Sequence, residues 1–229
     1  MQNIITVDGP SGVGKGTLAL ELANKLGWHF LDSGAIYRAV AVYAMKKEID
    51  LEDEAKVAQL AEGLPLTFKV NGQQLEIYLE AEEVTRLIRA ETTGNAASIV
   101  AKHPKVRVNL LQRQRDFALM PGLIADGRDM GTVVFPKAPL KLFLTASAKV
   151  RADRRHKQLL DSGICVNIEQ ILSEVEARDE RDRSRTASPL VPADDALIID
   201  TSALSVNDVL EKAWEAVLNT FPELFSIGI

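Results

Sequence analysis

A glycine-rich segment near the start constrains the fold of this chain more than any other feature. It reads Gly-Pro-Ser-Gly-Val-Gly-Lys-Gly-Thr at positions 9–17, between the apolar run Ile4–Val7 and the helical pattern Leu18–Leu26. Two glycines five positions apart and then a lysine have the spacing of a phosphate-binding P-loop. Glycines let several backbone N–H groups point at a phosphate, and the following helix adds its positive end. The segment predicts a strand, a phosphate-binding loop and a helix, with Lys15 on the outer phosphates of a nucleoside triphosphate.

The residues that we predict to bind the triphosphate are those of the loop itself. They are Gly9, Pro10, Ser11, Gly12, Val13, Gly14, Lys15, Gly16 and Thr17. The alternative, a glycine-rich turn without a ligand, is disfavoured by the strand–loop–helix context. Most P-loops carry Ser or Thr directly after the lysine, where its hydroxyl ligates Mg²⁺, but this chain has Gly16 there. Gly-Lys-Gly-Thr resembles the version found in nucleoside monophosphate kinases, in which Thr17 can contact a phosphate or a metal-bound water.

Length, charge and cysteine content exclude several classes of protein. A chain of 229 residues can form one sizeable domain, or a core with one inserted subdomain. The net charge of −5 argues against broad nucleic-acid binding. A single cysteine, no leader pattern and no long apolar stretch predict a cytoplasmic protein without membrane contact. We expect it to act as a monomer, and its three histidines have no metal-ligand spacing.

Short apolar runs alternate with helical patterns along the chain, which is typical of a parallel α/β sheet. The predicted core strands are Ile4–Asp8, His29–Leu31, Leu123–Ala125, Leu140–Leu144 and Ala196–Ile199. The predicted helices are Lys15–Leu26, Ala35–Lys47, Asp53–Ala61, Ala96–Lys102, Lys105–Leu119, Lys149–Asp161, Ile168–Arg183 and Val206–Phe221. The pattern predicts a P-loop fold with a five-stranded parallel core sheet flanked by helices.

One region, at about 63–93, breaks the alternation. Apolar residues alternate with polar ones on both sides of Asn71-Gly72, and Asn-Gly between two such runs is a strong hairpin signal. The sequence therefore predicts a small antiparallel β unit inserted into the parallel core. In an open α/β sheet the ligand binds beyond the carboxyl ends of the strands, so the insertion could overhang the site. The alternative is a variable surface decoration.

Two further segments follow predicted strands and carry charges. Ser33 can cap the helix that begins near Ala35, and Arg38, one turn later, suits a second phosphate. Asp126, at the end of the third strand, is a candidate for holding the water shell of Mg²⁺. Arg128 would then lie close to the transferred group. The alternative for this second segment is a local network of arginine and aspartate in a turn.

Arginines recur on two predicted helices of the second half. Positions 178, 181, 182 and 185 fall on one helical face, and Arg151, Arg154 and Arg155 fall on one face of the preceding helix. Charge runs are usually solvated helix faces. Three arginines on one face nevertheless repel each other unless an anion lies between them. The two helices, spanning 150–185, are therefore predicted to form a lid.

Essentially the whole chain resembles the bacterial-type cytidylate kinases, which are nucleoside monophosphate kinases. The segments that carry the resemblance are 9–17, Leu31–Arg38, Asn95–Ser98, Ala125–Pro136 and Arg178–Arg183. The resemblance implies a nucleoside monophosphate kinase fold with an inserted monophosphate-binding subdomain, 63–93, and a helical lid, all within one domain, 1–229. It implies transfer of a phosphoryl group from ATP, with Mg²⁺, to CMP or dCMP, giving CDP or dCDP in pyrimidine nucleotide metabolism.

The resemblance also implies roles for individual residues. The implied catalytic residues are Lys15, Arg128, Arg154, Arg155, Arg178 and Arg181. The implied CMP-binding residues are Ser33, Tyr37, Arg38, Ser98, Arg107, Arg128, Asp129, Asp182 and Arg185. Among them, Asp129 and Arg107 would read cytosine and Asp182 would reach the sugar. No direct metal ligand is assigned, and Thr17 and Asp126 would act on Mg²⁺ through water.

Hydrogen-bonding chemistry agrees with the implied recognition of the base. A carboxylate only accepts, so Asp129 matches the amino group of cytosine, and Arg107 only donates, so it matches N3 and O2. Uracil would present a carbonyl to the carboxylate. Two alternatives remain open: another small P-loop kinase, for adenylate, shikimate or a nucleoside, and a GTP-dependent switch or ATP-sensing binding module. The chain has no Asn-Lys-x-Asp guanine signature.

Overall fold

The computed structural model describes residues 3–71 and 74–225. The strands, in chain order, are β1 (Ile4–Asp8), β2 (His29–Asp32), β3 (Leu66–Asn71), β4 (Gln74–Leu79), β5 (Glu82–Glu83), β6 (Leu123–Gly127), β7 (Leu140–Thr145) and β8 (Leu197–Asp200). The α-helices are α1 (Lys15–Leu26), α2 (Ser33–Lys46), α3 (Glu54–Glu62), α4 (Thr85–Arg89), α5 (Glu91–Val100), α6 (Pro104–Arg115), α7 (Ala148–Asp161), α8 (Ile168–Ser184) and α9 (Val206–Thr220). A π-helix, Met130–Val134, follows β6, and a 3₁₀ helix, Pro222–Phe225, follows α9.

The chain divides into two compact units, one formed by Met1–Leu31 with Arg115–Ile229 and the other by Asp32–Gln114. The first unit carries the five-stranded sheet, whose strand order is β2-β6-β1-β7-β8. The central strand β1 pairs in parallel with both β6 and β7, and β7 pairs in parallel with β8. The predicted parallel core is therefore confirmed, and the carboxyl ends of β1, β6 and β7 lie along one edge of the sheet.

Helix α1 packs on this sheet through one apolar face. Leu18 and Leu22 are buried in a cluster that also contains residues of β1, β7 and α9. Gly27 ends α1 in the left-handed conformation, at φ 65°, and its N–H donates back to carbonyl oxygens of the helix. The ring of Trp28 then meets Phe221 edge-on at 5.3 Å, which joins the end of α1 to the end of α9.

The second unit contains the predicted hairpin. β3 and β4 pair antiparallel from Leu66 opposite Leu79 to Asn71 opposite Gln74, and β5 extends the sheet beside β4. The antiparallel unit is thus confirmed, while Gly72 of the predicted turn lies outside the described residues. Helices α2 and α5 pack against each other in the same unit.

The structure differs from the helix predictions at four elements. Helix α5 begins at Glu91 and not at Ala96, because the weak helix formers Thr93 and Gly94 are buried in its first turns. Helix α6 ends at Arg115 and not at Leu119, before the turn that leads to a proline. The pattern also missed the five-residue helix α4 and the π-helix, which are too short for a periodic signal.

Candidate active site

The P-loop connects β1 to α1 as predicted. Gly9 has φ 144°, and a Cβ there would lie 2.1 Å from the carbonyl oxygen of Leu144, so only glycine fits beside β7. Gly14, at φ 93°, is the N-cap of α1 in the left-handed conformation. Its side-chain-free backbone leaves the first N–H groups of α1 open toward the loop, which is the arrangement that favours phosphate.

Lys15 lies inside this loop. The side chain is only 6% exposed, and Nζ donates a hydrogen bond of 2.8 Å to the carbonyl oxygen of Pro10. Burial, and then repulsion from Arg128 and Arg178, lower the pKa of Lys15 to about 7, although Asp126 attracts its charge. When an anion binds in such a loop, it stabilises the charged form of the lysine, which the neighbouring cations otherwise disfavour.

Asp126 and Arg128 lie at the carboxyl end of β6, next to the loop. A Cβ at Gly16 would stand 3.4 Å from Oδ2 of Asp126, so this carboxylate faces the position where most P-loops have a hydroxyl. Arg128 Nε donates to Oδ2 of Asp182 at 3.0 Å. Burial disfavours the charge of Arg128, but the carboxylates of Asp182 and Asp126 outweigh it and raise the pKa of the guanidinium. The arginine–aspartate network considered as an alternative thus exists, and it lies beside Lys15.

Asp182 projects from α8 into a cluster of arginines. Burial would raise the pKa of Asp182, but Arg128, Arg178 and Arg185 together lower it below its ordinary value. The prediction that one helical face carries all four residues needs correction, because α8 ends at Ser184 and Arg185 has extended backbone. Arg185 is nevertheless buried, and its Nε bonds the carbonyl oxygen of Ser188. Burial and charge hold Arg185 near Asp182, where the helical register alone could not.

Asp129 stands between β6 and the π-helix. Its side chain is 3% exposed and does not cap the helix. Its carbonyl oxygen accepts hydrogen bonds from the N–H groups of Val133 and Val134, at 2.9 and 3.1 Å. The backbone that carries this carboxylate is therefore fixed by hydrogen bonds on its C-terminal side.

The arginines of α7 and α8 have different environments. Arg151 is 2% exposed and bonds Asp179, Ser11 and Ala146, so it joins the P-loop to both helices. Arg151 lines a cavity beside the P-loop together with Arg154 and Arg155, in agreement with their predicted common face, but its guanidinium also turns inward to Asp179. Arg154 is half-buried and donates to the hydroxyl and carbonyl oxygens of Thr201.

A cavity of about 640 Å³ opens beside the P-loop, within the first unit. Loop residues, Arg154 and Arg155 form one side of it, and the segment from Thr201 to Val206, before and at the start of α9, forms another. Polar phosphate-binding groups thus continue into a partly apolar cavity, as a nucleotide requires.

The remaining predicted arginines, Arg178 and Arg181, are half-buried on α8.

The remaining predicted residues belong to the second unit. The expected cap by Ser33 is wrong: Asp32 caps α2 by accepting from the N–H of Ala35 at 2.9 Å, while Ser33 donates to Gln114 at 2.7 Å. A carboxylate in that position competes better for the N–H than a hydroxyl already bound elsewhere. Arg38 donates to the carbonyl oxygen of Ile88 at 2.9 Å.

Tyr37, Ser98 and Arg107 are all buried in this unit. The guanidinium of Arg107 lies 5.4 Å from the ring centroid of Tyr37 and donates to the carbonyl oxygen of Ala101 at 3.0 Å. A buried arginine stacked on a tyrosine has a fixed orientation, as a base-reading group needs.

The sequence patterns did not single out three residues that organise this site: Asp8, Thr201 and, in its structural role, Arg151. Asp8 accepts from the N–H groups of Met130 and Gly131, both at 2.8 Å. Thr201 donates to the carbonyl oxygen of Val13. A charged residue ending an otherwise apolar strand was the available signal for Asp8.

Neither a metal cluster nor a membrane span is found in the described part of the chain. No group of three or more His, Cys, Asp or Glu side chains could hold a metal ion among residues 3–71 and 74–225. Within the same residues, no helix is long and apolar enough to cross a membrane.

Comparison with known proteins identifies the family. The cytidylate kinase family model matches residues 5–219. The cytidylate kinase of Aeromonas hydrophila is 55% identical over 210 residues, 92% of this chain and 91% of that protein. The cytidylate kinase of Shewanella denitrificans is 56% identical over 216 residues, 93% of this chain and 95% of that protein.

Solved structures agree on the fold. An uncharacterized protein from Eubacterium ventriosum superposes with a TM-score of 0.51 at 11% identity, over 96% of this chain and 99% of that one. This likeness concerns the fold alone. The family model and the high identity along almost the full length together establish that this chain belongs to the cytidylate kinase family.

Proposed function

We propose that this chain transfers the γ-phosphoryl group of ATP to CMP and dCMP, giving ADP and CDP or dCDP. Family membership supports the reaction and the acceptor. The observation that carries the proposal is the meeting of Lys15, Arg128, Arg178 and Asp126 at one edge of the sheet, where their charges perturb one another. A cluster of cations beside a P-loop, with the carboxylate of Asp126 next to it, is suited to a group that carries several negative charges and a metal ion.

ATP would occupy the loop and the cavity beside it. The N–H groups of the loop and Lys15 would hold the phosphates, and the cavity of about 640 Å³ is large enough for the nucleoside. Arg154 and Arg155 line this cavity, so we assign them to the donor side of the transferred group.

Mg²⁺ fits the residues present. One carboxylate, Asp126, faces the P-loop at Gly16, with Thr17 next in the chain. Mg²⁺ keeps several waters and is commonly held by one or two carboxylates together with substrate phosphates, so a dedicated cluster is not needed. Asp126 and Thr17 would hold it through water, and the ion would neutralise charge on the phosphates.

We assign acceptor recognition to the following side chains. In the first unit, Arg128 would hold the phosphate, Asp129 the amino group of cytosine and Asp182 the sugar, with Arg185 close to the base. In the second unit, five residues are assigned to the phosphate or the base because of the family resemblance. These residues are Ser33, Tyr37, Arg38, Ser98 and Arg107.

The chemical step needs alignment and charge neutralisation. An oxygen of the CMP phosphate attacks the γ-phosphorus in line, and the bond from that phosphorus to the bridging oxygen breaks as ADP leaves. The attacking oxygen is already ionised, so no strong general base is required. Lys15, Arg128, Arg178 and Arg181 would offset the negative charge that spreads over the moving phosphoryl group.

Three wider assignments complete the proposal. Segment 63–93 would act as the monophosphate-binding insertion and 150–185 as the lid, within one kinase domain. We expect a cytoplasmic monomer, and light scattering on the purified protein would test the oligomeric state.

A coupled assay of ADP release tests the proposed function directly. The protein is incubated with Mg²⁺-ATP and, in separate reactions, CMP, dCMP, UMP, AMP, GMP, shikimate and a nucleoside. We expect ADP release to depend on CMP or dCMP, and removal of Mg²⁺ by a chelator to abolish it. Nucleotide hydrolysis that does not depend on any acceptor would instead indicate a switch protein, and a preference for AMP or shikimate another kinase.

A further inference from the structure

Asp8 is a buried carboxylate with no place in the roles assigned above. It ends the central strand β1, directly before the P-loop, and is 5% exposed. Its Oδ1 accepts from the N–H of Met130 and its Oδ2 from the N–H of Gly131, both at 2.8 Å. Because both oxygens accept backbone N–H groups, the carboxylate fixes two consecutive peptide units at once.

These two peptide units immediately follow Asp129. Its carbonyl oxygen is held by the N–H groups of Val133 and Val134, so the backbone on the C-terminal side of Asp129 is bonded to Asp8 and to the π-helix. Asp129 lies outside the regular part of β6, which ends at Gly127. The ladder of the sheet therefore does not fix the backbone at Asp129, whereas the contacts of Asp8 fix the two peptide units that follow it.

Packing around the turn leaves little room for another backbone path. A Cβ on Gly127 would lie 2.8 Å from the side chain of Met130, which is fully buried. A Cβ on Gly131 would lie 2.9 Å from the hydroxyl of Thr6. Gly127 is also directly opposite Asp8 in the parallel register of β1 and β6. Both ends of the turn are thus pressed against β1, and Asp8 is the group that bonds it there.

We propose that Asp8 is a positioning residue for base selection: by holding the N–H groups of Met130 and Gly131 it aims the carboxylate of Asp129 at the amino group of cytosine. This inference rests on the proposed function of the site. Asp8 would thus link strand β1, which leads into the P-loop, to Asp129, the residue proposed to distinguish cytosine from uracil. A purely electrostatic influence of Asp8 on Lys15 is the competing explanation, since the two charges interact.

Two substitutions separate these explanations. Asp8→Asn keeps the size but loses the charge and one acceptor, whereas Asp8→Glu keeps the charge near Lys15 but displaces the carboxylate from the two N–H groups. Burial raises the pKa of Asp8 to about 7, so assays are run above pH 8, where the carboxylate is ionised. The matched control is Asp53→Asn, because Asp53 also accepts a backbone N–H, from Lys56, but is only half-buried, at the N-cap of α3.

The measurements are kcat/KM for CMP and for UMP, and the Kd of ATP without acceptor. We expect both Asp8 variants to lower the CMP-to-UMP ratio by about tenfold, the scale of one charge-assisted hydrogen bond, with the Kd of ATP within about threefold of the unmodified protein. Asp53→Asn should leave all three values unchanged. A CMP-to-UMP ratio that is unchanged in both Asp8 variants overturns the proposal. A normal ratio in Asp8→Glu combined with weaker ATP binding in Asp8→Asn also overturns it, because that result indicates an electrostatic effect on Lys15. If Asp8→Asn does not fold, Asp8→Glu alone decides between these outcomes.

Amide hydrogen exchange gives a readout that does not depend on activity. We expect exchange at Met130 and Gly131 to accelerate at least tenfold in the folded Asp8→Glu protein, while amides of α9 keep their protection. Unchanged exchange at both positions would contradict the proposal. Failure of the unmodified protein to phosphorylate CMP would overturn the proposed function instead, and the exchange result would still report on the role of Asp8.

Discussion

Arg151 and Asp179 form a buried two-point ion pair between α7 and α8. Nη1 of Arg151 donates to Oδ1 of Asp179 at 3.0 Å, and Nη2 donates to Oδ2. The same guanidinium donates to the carbonyl oxygens of Ser11 and Ala146, each at 3.1 Å. Four of the five N–H groups of this guanidinium thus donate to fixed acceptors, and they tie the P-loop to the arginine-bearing helices.

Removing the acid of this pair should strongly destabilise the protein. Asp179→Ala leaves a buried guanidinium without its counter-charge, and we expect the free energy of unfolding to fall by about 3–5 kcal/mol. Urea unfolding measures it. Arg183→Ala is the control, because Arg183 also approaches Asp179, at 3.6 Å, but is 61% exposed, and its loss should cost within about 0.5 kcal/mol. Equal losses in the two variants would contradict the structural role of Arg151.

Lys15 should make ATP binding depend on pH. Its pKa is lowered to about 7 in the free protein, chiefly by burial, so the lysine is mostly neutral above that pH. A bound triphosphate favours the charged form and raises this pKa, so binding takes up a proton and weakens as pH rises, by up to about tenfold per unit.

Calorimetry in buffers of different ionisation enthalpy, between about pH 8 and 9.5, measures the proton uptake on binding. Lys15→Arg, which stays charged throughout, should abolish it. The same uptake in the arginine variant would assign the proton to another group. Lys15→Ala should abolish transfer while the protein remains folded.

Asp129→Asn should relax discrimination between pyrimidine bases. An amide can donate as well as accept, so the carbonyl of uracil is no longer rejected. We expect the CMP-to-UMP ratio of kcat/KM to fall by the equivalent of about 1–3 kcal/mol. A ratio that does not change would remove Asp129 from recognition of the base.

Arg178 and Arg181 should affect catalysis more than stability. If they contact the transferred phosphoryl group, alanine at either position should lower kcat by a factor on the order of 10³ and change Tm little. Lysine should restore only part of the activity, because a point charge cannot reproduce the guanidinium fork. Arg183→Ala, on the same helix, should keep kcat within about twofold. Activity that falls only in proportion to stability would favour a solvated helix face.

The local features of this protein could be predicted from the sequence. The bounds of β1 and α1 and the P-loop between them follow from an apolar run, glycine spacing and a helical period, all of which act within a few residues. The hairpin of β3 and β4 follows in the same way from alternation around Asn71. The charged segment after β6 could be recognised as a site because the carboxyl end of a parallel strand is where ligands bind.

Partnerships between distant residues were decided only by the tertiary structure. The periodicity placed Arg151, Arg154 and Arg155 on one face, but it could not show that Arg151 turns inward to Asp179, 28 positions away. Likewise, Ser33 and Asp32 are both good helix caps, and the bond from Ser33 to Gln114, 81 positions away, leaves the capping role to Asp32. Asp8 finds its partners 122 and 123 positions along the chain. Local patterns determine which backbone forms; which buried charge meets which partner depends on packing, since an unpaired charge in the interior is too costly to persist.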